Sequence, residues 1–155
     1  MQNIEYIITD HSGLDQIRTL WEELNKHHHS YSKHFKERYN SFTFETRKEA
    51  LLKKIVDGEI RVEIAFDKNK KKNIGYSISS VTGKIEKEGE IDSIFIDPGY
   101  RGLGIGETLM KHGIQWLDKH NTKTRKIIVA AGNENVFSYY EKFGFYHKFS
   151  ILEPK

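Results

Sequence analysis

The sequence predicts an α/β (α+β) fold in which about four helices flank a mixed, mostly antiparallel central sheet. Three observations predict it. Short runs alternate apolar with polar or small residues, as Ile60, Val62, Ile64 and Phe66 do, which is the period of a half-buried strand. Leu14, Ile17, Leu20, Trp21 and Leu24 recur at steps of three and four, the period of a helix with one apolar face. Later in the chain an alternating run passes through a glycine turn into a helical pattern and then into a second apolar run. Strands joined in that order through a helix usually lie parallel.

In chain order, Ile4 to Thr9 reads as the first strand, and "HSGLD" as a turn that caps a helix starting near Leu14. That helix turns its apolar stripe to the core and leaves Asp15, Arg18 and Glu22 in solvent. Beyond Leu24 the pattern dissolves into "NKHHHSYSKHFKERYNSF", polar and aromatic, an irregular stretch suited to building specificity. Glu45 to Val56 resumes a helical pattern that ends at Gly58. "EIRVEIAF" and the run holding Ile74, Tyr76 and Ile78 should pair as an antiparallel hairpin, and "EIDSIFID" is a third strand of the same kind. Pro98, the glycine turn and a helix carrying Ile105, Leu109, Met110, Trp116 and Leu117 follow. "KIIVAAG" reads as a strand covered on both faces, Glu134 to Phe143 as a short helix, and Tyr146 to Leu152 as a last strand.

A chain of 155 residues is one domain of ordinary size, here read as residues 1–155 with a real core. With 37% apolar and 30% charged residues, its composition is that of a soluble globular protein. No apolar run approaches the roughly 20 residues that cross a bilayer, and "MQNIEYIITD" lacks a basic region followed by an apolar stretch. No membrane partner is expected, and a cytoplasmic location is the default. The absence of cysteine excludes disulfides, zinc-thiolate sites and a cysteine nucleophile. The net charge of +3 and the tract Lys68, Lys70, Lys71 and Lys72 raise the question of an anionic partner. That tract lies between two alternating runs, so it reads as the solvated tip of a hairpin, and no nucleic-acid partner is expected.

"YRGLGIGETLM", Tyr100 to Met110, places three glycines at alternate positions behind an arginine and ahead of a helix. Such a turn exposes backbone N–H groups that the helix cannot use, and the helix dipole adds positive potential there. Side chains at Gly102, Gly104 and Gly106 would keep an anion from that backbone, and Arg101 adds a full charge beside it. Phosphate is the natural anion. Two familiar phosphate motifs fail: counting from Gly102, the sixth position of a dinucleotide fingerprint is Glu107, and no Gly-Lys-Ser/Thr tripeptide occurs.

Written as Arg101-x-x-Gly104-x-Gly106, the turn resembles the pyrophosphate-binding motif of the GNAT superfamily of acyl-CoA-dependent N-acyltransferases. "IDSIFIDPGYRGLGIGETLM" looks like that family's fourth strand, loop and third helix, and "NENVFSYYEKFGF" like its later asparagine and Tyr-Glu-Lys-x-Gly-Phe segment. The resemblance implies a GNAT-like fold in which the fourth and fifth strands, a parallel pair, splay apart to admit the pantetheine arm of acetyl-CoA, the cosubstrate. Ile94, Phe95 and Ile96 would offer backbone hydrogen bonds to that arm, and Arg101, Gly102, Leu103, Gly104, Ile105 and Gly106 would hold the pyrophosphate. Asn133 matches the family asparagine and would touch the pantetheine or thioester, with Asn135 a competitor if the helix starts later. Tyr140 matches the tyrosine that sits beside the cofactor sulfur as general acid. Family members often finish with two strands, whereas "YHKFSILEPK" has room for about one, which leaves open a homodimer in which a second subunit closes the acceptor site.

An amine of pKa near 10 must lose a proton before it attacks a thioester, so a base or a water path is required. Asp92 is the candidate base: alternation puts it on one face with Ile94 and Ile96, where desolvation would raise its pKa. Glu90 shares that face, and in many relatives ordered water removes the proton while the acid only orients the amine. His27, His28, His29 and His34 do not converge as a ligand set, because adjacent helical histidines point about 100° apart, and no metal is expected. With Tyr31, Phe35, Tyr39, Phe42 and Phe44 they would line or flank the acceptor pocket, and the lone carboxylate of that segment, Glu37, argues against a polyamine acceptor. The reading is an acetyl-CoA-dependent N-acetyltransferase acting on a small-molecule or peptide amine; its rival is a non-catalytic acyl-CoA-binding module on the same fold.

Overall fold

The alternating runs become strands of one sheet. The structure, a computed structural model, describes residues 3–155. Strands β1 (Ile4–Thr9), β2 (Gly58–Asp67), β3 (Lys72–Thr82) and β4 (Glu88–Ile96) pair antiparallel in chain order, and β5 (Thr124–Ile127) joins β4 in parallel. The lysine tract is the exposed tip of the β2–β3 hairpin, as its position between two alternating runs predicts. Helices α1 (Arg18–Tyr31), α2 (Lys36–Ser41) and α3 (Phe44–Lys54) lie in the segment between β1 and β2; α4 (Ile105–Lys119) and α5 (Phe137–Glu141) bracket β5.

The two faces of the sheet bury different clusters. Leu14, Leu20, Trp21 and Leu51 pack on Ile60, Val62, Ile64, Tyr76, Ile78 and Phe95. On the other face α4 packs Ile105 and Leu109 against Ala65 and Ile74, and Met110 and Leu117 against Val81 and Ile91. Each such buried aliphatic side chain is worth about 1.5–3 kcal/mol of transfer free energy. Leu109 is fully buried one turn below the glycine loop, so Leu109→Ala both opens a cavity and loosens the seat of that loop. We expect it to cost about 2–5 kcal/mol, read as a fall in Tm of roughly 10 °C by thermal melting.

The helix beginning near Leu14 differs from the expectation at both ends. His11–Ile17 is a 3-10 turn, capped where Asp10 accepts from the Ser12 N–H at 2.9 Å, and α1 then continues to Tyr31. The stretch from Asn25 to Tyr31 is therefore helical, and its polar face is no obstacle because the inner face is held by packing.

Two strand expectations need correction. "KIIVAAG" is not a strand covered on both faces: the ladder with β4 runs only from Glu88↔Thr124 to Ile91↔Ile127, its residues are largely exposed, and Ile128 is exposed as well. The cause lies in β4. Ile78 pairs with Ser93 and Ser79 with Ile91, so Asp92 is an extra residue, a bulge that bends β4 away from its neighbour. The last strand does not form either. Tyr146 to Leu152 joins no ladder and leaves Tyr146, Phe149, Ile151 and Leu152 at 69–93% exposure, while Arg38 draws the following residues toward α2 by pairing with Glu153 and the Pro154 carbonyl. Strand propensity without a pairing edge does not make a strand.

Candidate active site

The glycine turn is held from below. Asp97, at the end of β4, accepts from the Gly99 N–H at 2.9 Å and from Lys72 at 3.2 Å, and the Tyr100 hydroxyl donates to Asp67 at 2.6 Å. Those bonds tie the approach to the turn to the β2–β3 hairpin, and hold the Asp67 and Asp97 carboxyls below the usual range. Lys70 and Lys72 lie 5.5 and 5.3 Å from the Tyr100 ring centroid, which adds positive charge beside the turn. Arg101 Nε donates to the Ile96 carbonyl at 3.1 Å, with its guanidinium 5.5 Å from the Phe95 ring.

Gly102 and Gly104 have φ of +79° and +81°, and a Cβ added at either would meet no atom within 4 Å. The space above them is open to a ligand, and the unused N–H groups of the first turn of α4 face outward from the same end. These residues fit a phosphate group. Gly106 serves differently from its two neighbours: a Cβ there would lie 3.0 Å from the Tyr139 hydroxyl, so that glycine makes room for a side chain of the protein itself. Leu103 is exposed, whereas Ile105 anchors the turn in the core.

Beyond the bulge, Ile94, Phe95 and Ile96 pair with Ser77, Tyr76 and Gly75 of β3, but no β5 residue pairs with them on the other side. Half of their backbone groups thus face a gap, as a splayed parallel pair requires. At the inner end of that gap is a cavity of about 150 Å³ whose walls include Asp92, Asn133, Tyr140, His28, Tyr39 and Arg47. Asn133 Oδ1 lies 3.4 Å from His27 Nε2, while its competitor Asn135 is exposed and does not line the cavity.

The bulge also corrects the facing of Asp92. Ile94 and Ile96 pack with Ile105 and Leu109 on the α4 side, whereas Asp92 turns with Glu90 toward α3, where Lys54 bonds both carboxylates. Alternation fails because two successive residues, Asp92 and Ser93, point to the same face. Desolvation is reached all the same: the Asp92 side chain is 2% exposed, and burial pushes its carboxyl up against the opposing pull of Lys54. Its Oδ1 is 2.5 Å from Lys54 Nζ, and its Oδ2 is buried without a partner. Burial, and then Tyr139, push the Tyr140 phenol up to about 12.

Size does not decide which cavity carries chemistry. A wider groove of about 870 Å³ lies on the opposite side between β1, β2 and α4, but it contains neither the glycine turn nor Asp92, Asn133 or Tyr140. The smaller cavity brings Asp92, Asn133 and Tyr140 together at the end of the gap that leads to the turn. A family model described as the acetyltransferase (GNAT) family matches residues 17–145. The chain belongs to the GNAT acetyltransferase family.

Among curated GNAT relatives, an uncharacterised N-acetyltransferase of Methanocaldococcus jannaschii is 34% identical over 59 residues, which cover 38% of this chain and 26% of that one. The [ribosomal protein bS18]-alanine N-acetyltransferase of Escherichia coli is 32% identical over 66 residues, 43% of this chain and 45% of the relative. The chain thus spans about a quarter of the first relative and under half of the second. A putative acetyl transferase from Pyrococcus furiosus shares the fold with a TM-score of 0.68 at 24% identity, covering 97% of this chain and 99% of that structure. An aminoglycoside N-acetyltransferase solved with CoA gives a TM-score of 0.69 at 12% identity, covering 100% and 95%.

Two contributors to the site escape a reading of the sequence. Arg47 and Lys54 stand seven residues apart on α3, two helical turns, and both reach β4: Arg47 Nη2 donates to the Asp92 carbonyl at 3.0 Å. That i, i+7 spacing of cations is the one available signal, and it is weak. His28 belongs to the cavity wall because α1 runs on to Tyr31. Among the described residues no group of histidines and acids is arranged to hold a metal ion, and no helix is long and apolar enough to cross a membrane.

Proposed function

We propose that the chain transfers an acetyl group from acetyl-CoA, as cosubstrate, to a primary amine of a small molecule or peptide. The observation that carries this reading is continuity along β4: the open glycine turn leaves its end, the unpaired edge runs back along residues 92–96, and the cavity lies where the bulge sits. Five strand residues span about 17 Å, a reach suited to an extended pantetheine arm. Two of the proteins named above also support it, since one acetylates an alanine of bS18 and the other, a structural neighbour, acetylates aminoglycosides.

In this reading Arg101 and the backbone N–H groups from Gly102 to Gly106 hold the pyrophosphate, and the backbone of Ile94, Phe95 and Ile96 takes the arm as a further strand would be taken. Asn133 meets the arm near the thioester. Asp92 receives one proton from the incoming ammonium. The amine nitrogen then adds to the thioester carbonyl carbon and the C–S bond breaks. Tyr140 donates a hydrogen bond to the departing sulfur, and the second nitrogen proton neutralises the thiolate. The test is thiol release from acetyl-CoA across a panel of amines, with the acetylated product identified by mass. A protein that binds CoA and acetylates nothing in that panel is a binding module instead.

Asp92→Asn probes the base. Asp92 must be ionised to accept a proton, and burial raises its pKa, so the rate should fall as pH drops through a value above that of an ordinary aspartate. The asparagine variant is expected to lose that acidic limb and to be slower by roughly 10- to 100-fold at neutral pH. An unchanged pH profile assigns the proton to water or another group.

A further inference from the structure

Two fixed hydrogen-bond acceptors in the wall of the cavity have no partner. Asp92 Oδ2 and His28 Nδ1 are both sealed from solvent and unbonded, and both residues line the same space. The other buried unpartnered atoms, in Ser77, Ser79, Ser80 and Tyr139, are hydroxyls that can rotate, and that of Ser80 lies beside the Asp92 carboxyl and can turn to one of its lone pairs. An imidazole nitrogen has no such freedom, so leaving His28 Nδ1 unbonded is costly unless a ligand completes it, and the two lone pairs of Asp92 Oδ2 leave room for a ligand donor beside Ser80.

His28 is suited to accept. Burial, with His27 adding to it, lowers its pKa to about 4, so the ring is neutral at physiological pH. A neutral imidazole with its proton on Nε2 presents Nδ1 as an acceptor. We propose, resting on the acetyl-transfer reading above, that His28 and Asp92 form a two-point seat for a primary amine, and that the acceptor is a monoamine on an uncharged, largely apolar body. Once Asp92 has taken the ammonium proton and passed it to solvent, the primary amine has two N–H bonds and one lone pair. His28 Nδ1 takes one N–H and Asp92 Oδ2 the other, which leaves the lone pair pointing at the thioester carbon.

The walls choose the body that follows the nitrogen. Trp21, Tyr39 and Phe42 supply aromatic surface, with Trp21 edge-on to Phe42 at 5.5 Å. Asp92 is the one carboxylate in the lining, Arg47 is a cation in it, and Lys54 already bonds Asp92 and Glu90. A polycation would find no second acid and would meet Arg47.

The experiment compares benzylamine with spermidine as acceptors at saturating acetyl-CoA, for the wild type, His28→Phe and His28→Gln, with a CoA melting shift measured on each. The wild type should favour benzylamine in kcat/KM by about tenfold or more. His28→Phe keeps a ring but no acceptor, and should raise the benzylamine KM by about 10- to 100-fold with kcat and the CoA shift little changed. His28→Gln restores an acceptor oxygen and should recover part of the loss. Preference for spermidine, a phenylalanine variant equal to wild type, or a glutamine variant as impaired as the phenylalanine one overturns the seat. So does a wild type that acetylates neither probe; the wider amine panel then decides the acetyl-transfer reading separately.

Discussion

Replacing Tyr140 by phenylalanine is expected to lower kcat by roughly 10- to 1,000-fold with CoA affinity little changed. The phenol lines the cavity where the thioester would lie, and burial pushes it up to about 12, so it stays protonated throughout the working pH range. A thiol has a pKa near 8.5, so full proton transfer from such a phenol to free thiolate is uphill by about 3.5 units. In the proposed reaction the hydroxyl would therefore contribute the hydrogen bond to the sulfur, which strengthens as the C–S bond breaks. Tyr139→Phe is the control. Its ring lies 5.5 Å from that of Tyr140, but its hydroxyl packs against Gly106 and it does not line the cavity. Equal losses in the two variants, measured where chemistry limits the rate, would remove Tyr140 from the acid role.

The parts of the fold legible in the sequence are those fixed by local periodicity. Ile60, Val62 and Ile64 declare β2 because every second residue faces the same cluster, and Ile105, Leu109 and Met110 declare α4 in the same way. What fails needs a neighbour to decide it. "KIIVAAG" has the composition of a strand, yet its ladder ends at Ile127 because β4 bulges at Asp92, and nothing in "EIDSIFID" announces that bulge. Tyr146, Phe149 and Ile151 have strand propensity, but their segment finds no edge to pair with.

The candidate site divides along the same line. The glycine turn, Asn133 and Tyr140 belong to contiguous motifs, so each is recognisable from its neighbours along the chain. Arg47 and Lys54 reach β4 from α3 by tertiary packing, which spacing along one helix does not reveal. Asp92 falls between these cases. Its place in a central strand predicts a desolvated acid, and its side chain is buried, but it faces α3 rather than sharing a face with Ile94 and Ile96.

The largest effect on cofactor binding should follow from filling the space above Gly104. CoA that binds only the folded form stabilises it by about 2.7 kcal/mol at 100 times Kd, a rise in Tm of roughly 5–10 °C. Gly104→Val should abolish that rise, because the new side chain enters the open space where the pyrophosphate would lie. Valine also strains a residue whose φ is +81°, so loss of binding alone would not separate crowding from a distorted turn. Gly104→Asn makes the separation, since asparagine tolerates the left-handed conformation while still presenting a side chain to the ligand. Both variants are expected to keep the far-ultraviolet spectrum of the wild type, and both should weaken CoA binding by roughly 100-fold or more. Normal CoA affinity in the asparagine variant would trace the valine effect to backbone strain, and normal affinity in both would place the pyrophosphate elsewhere.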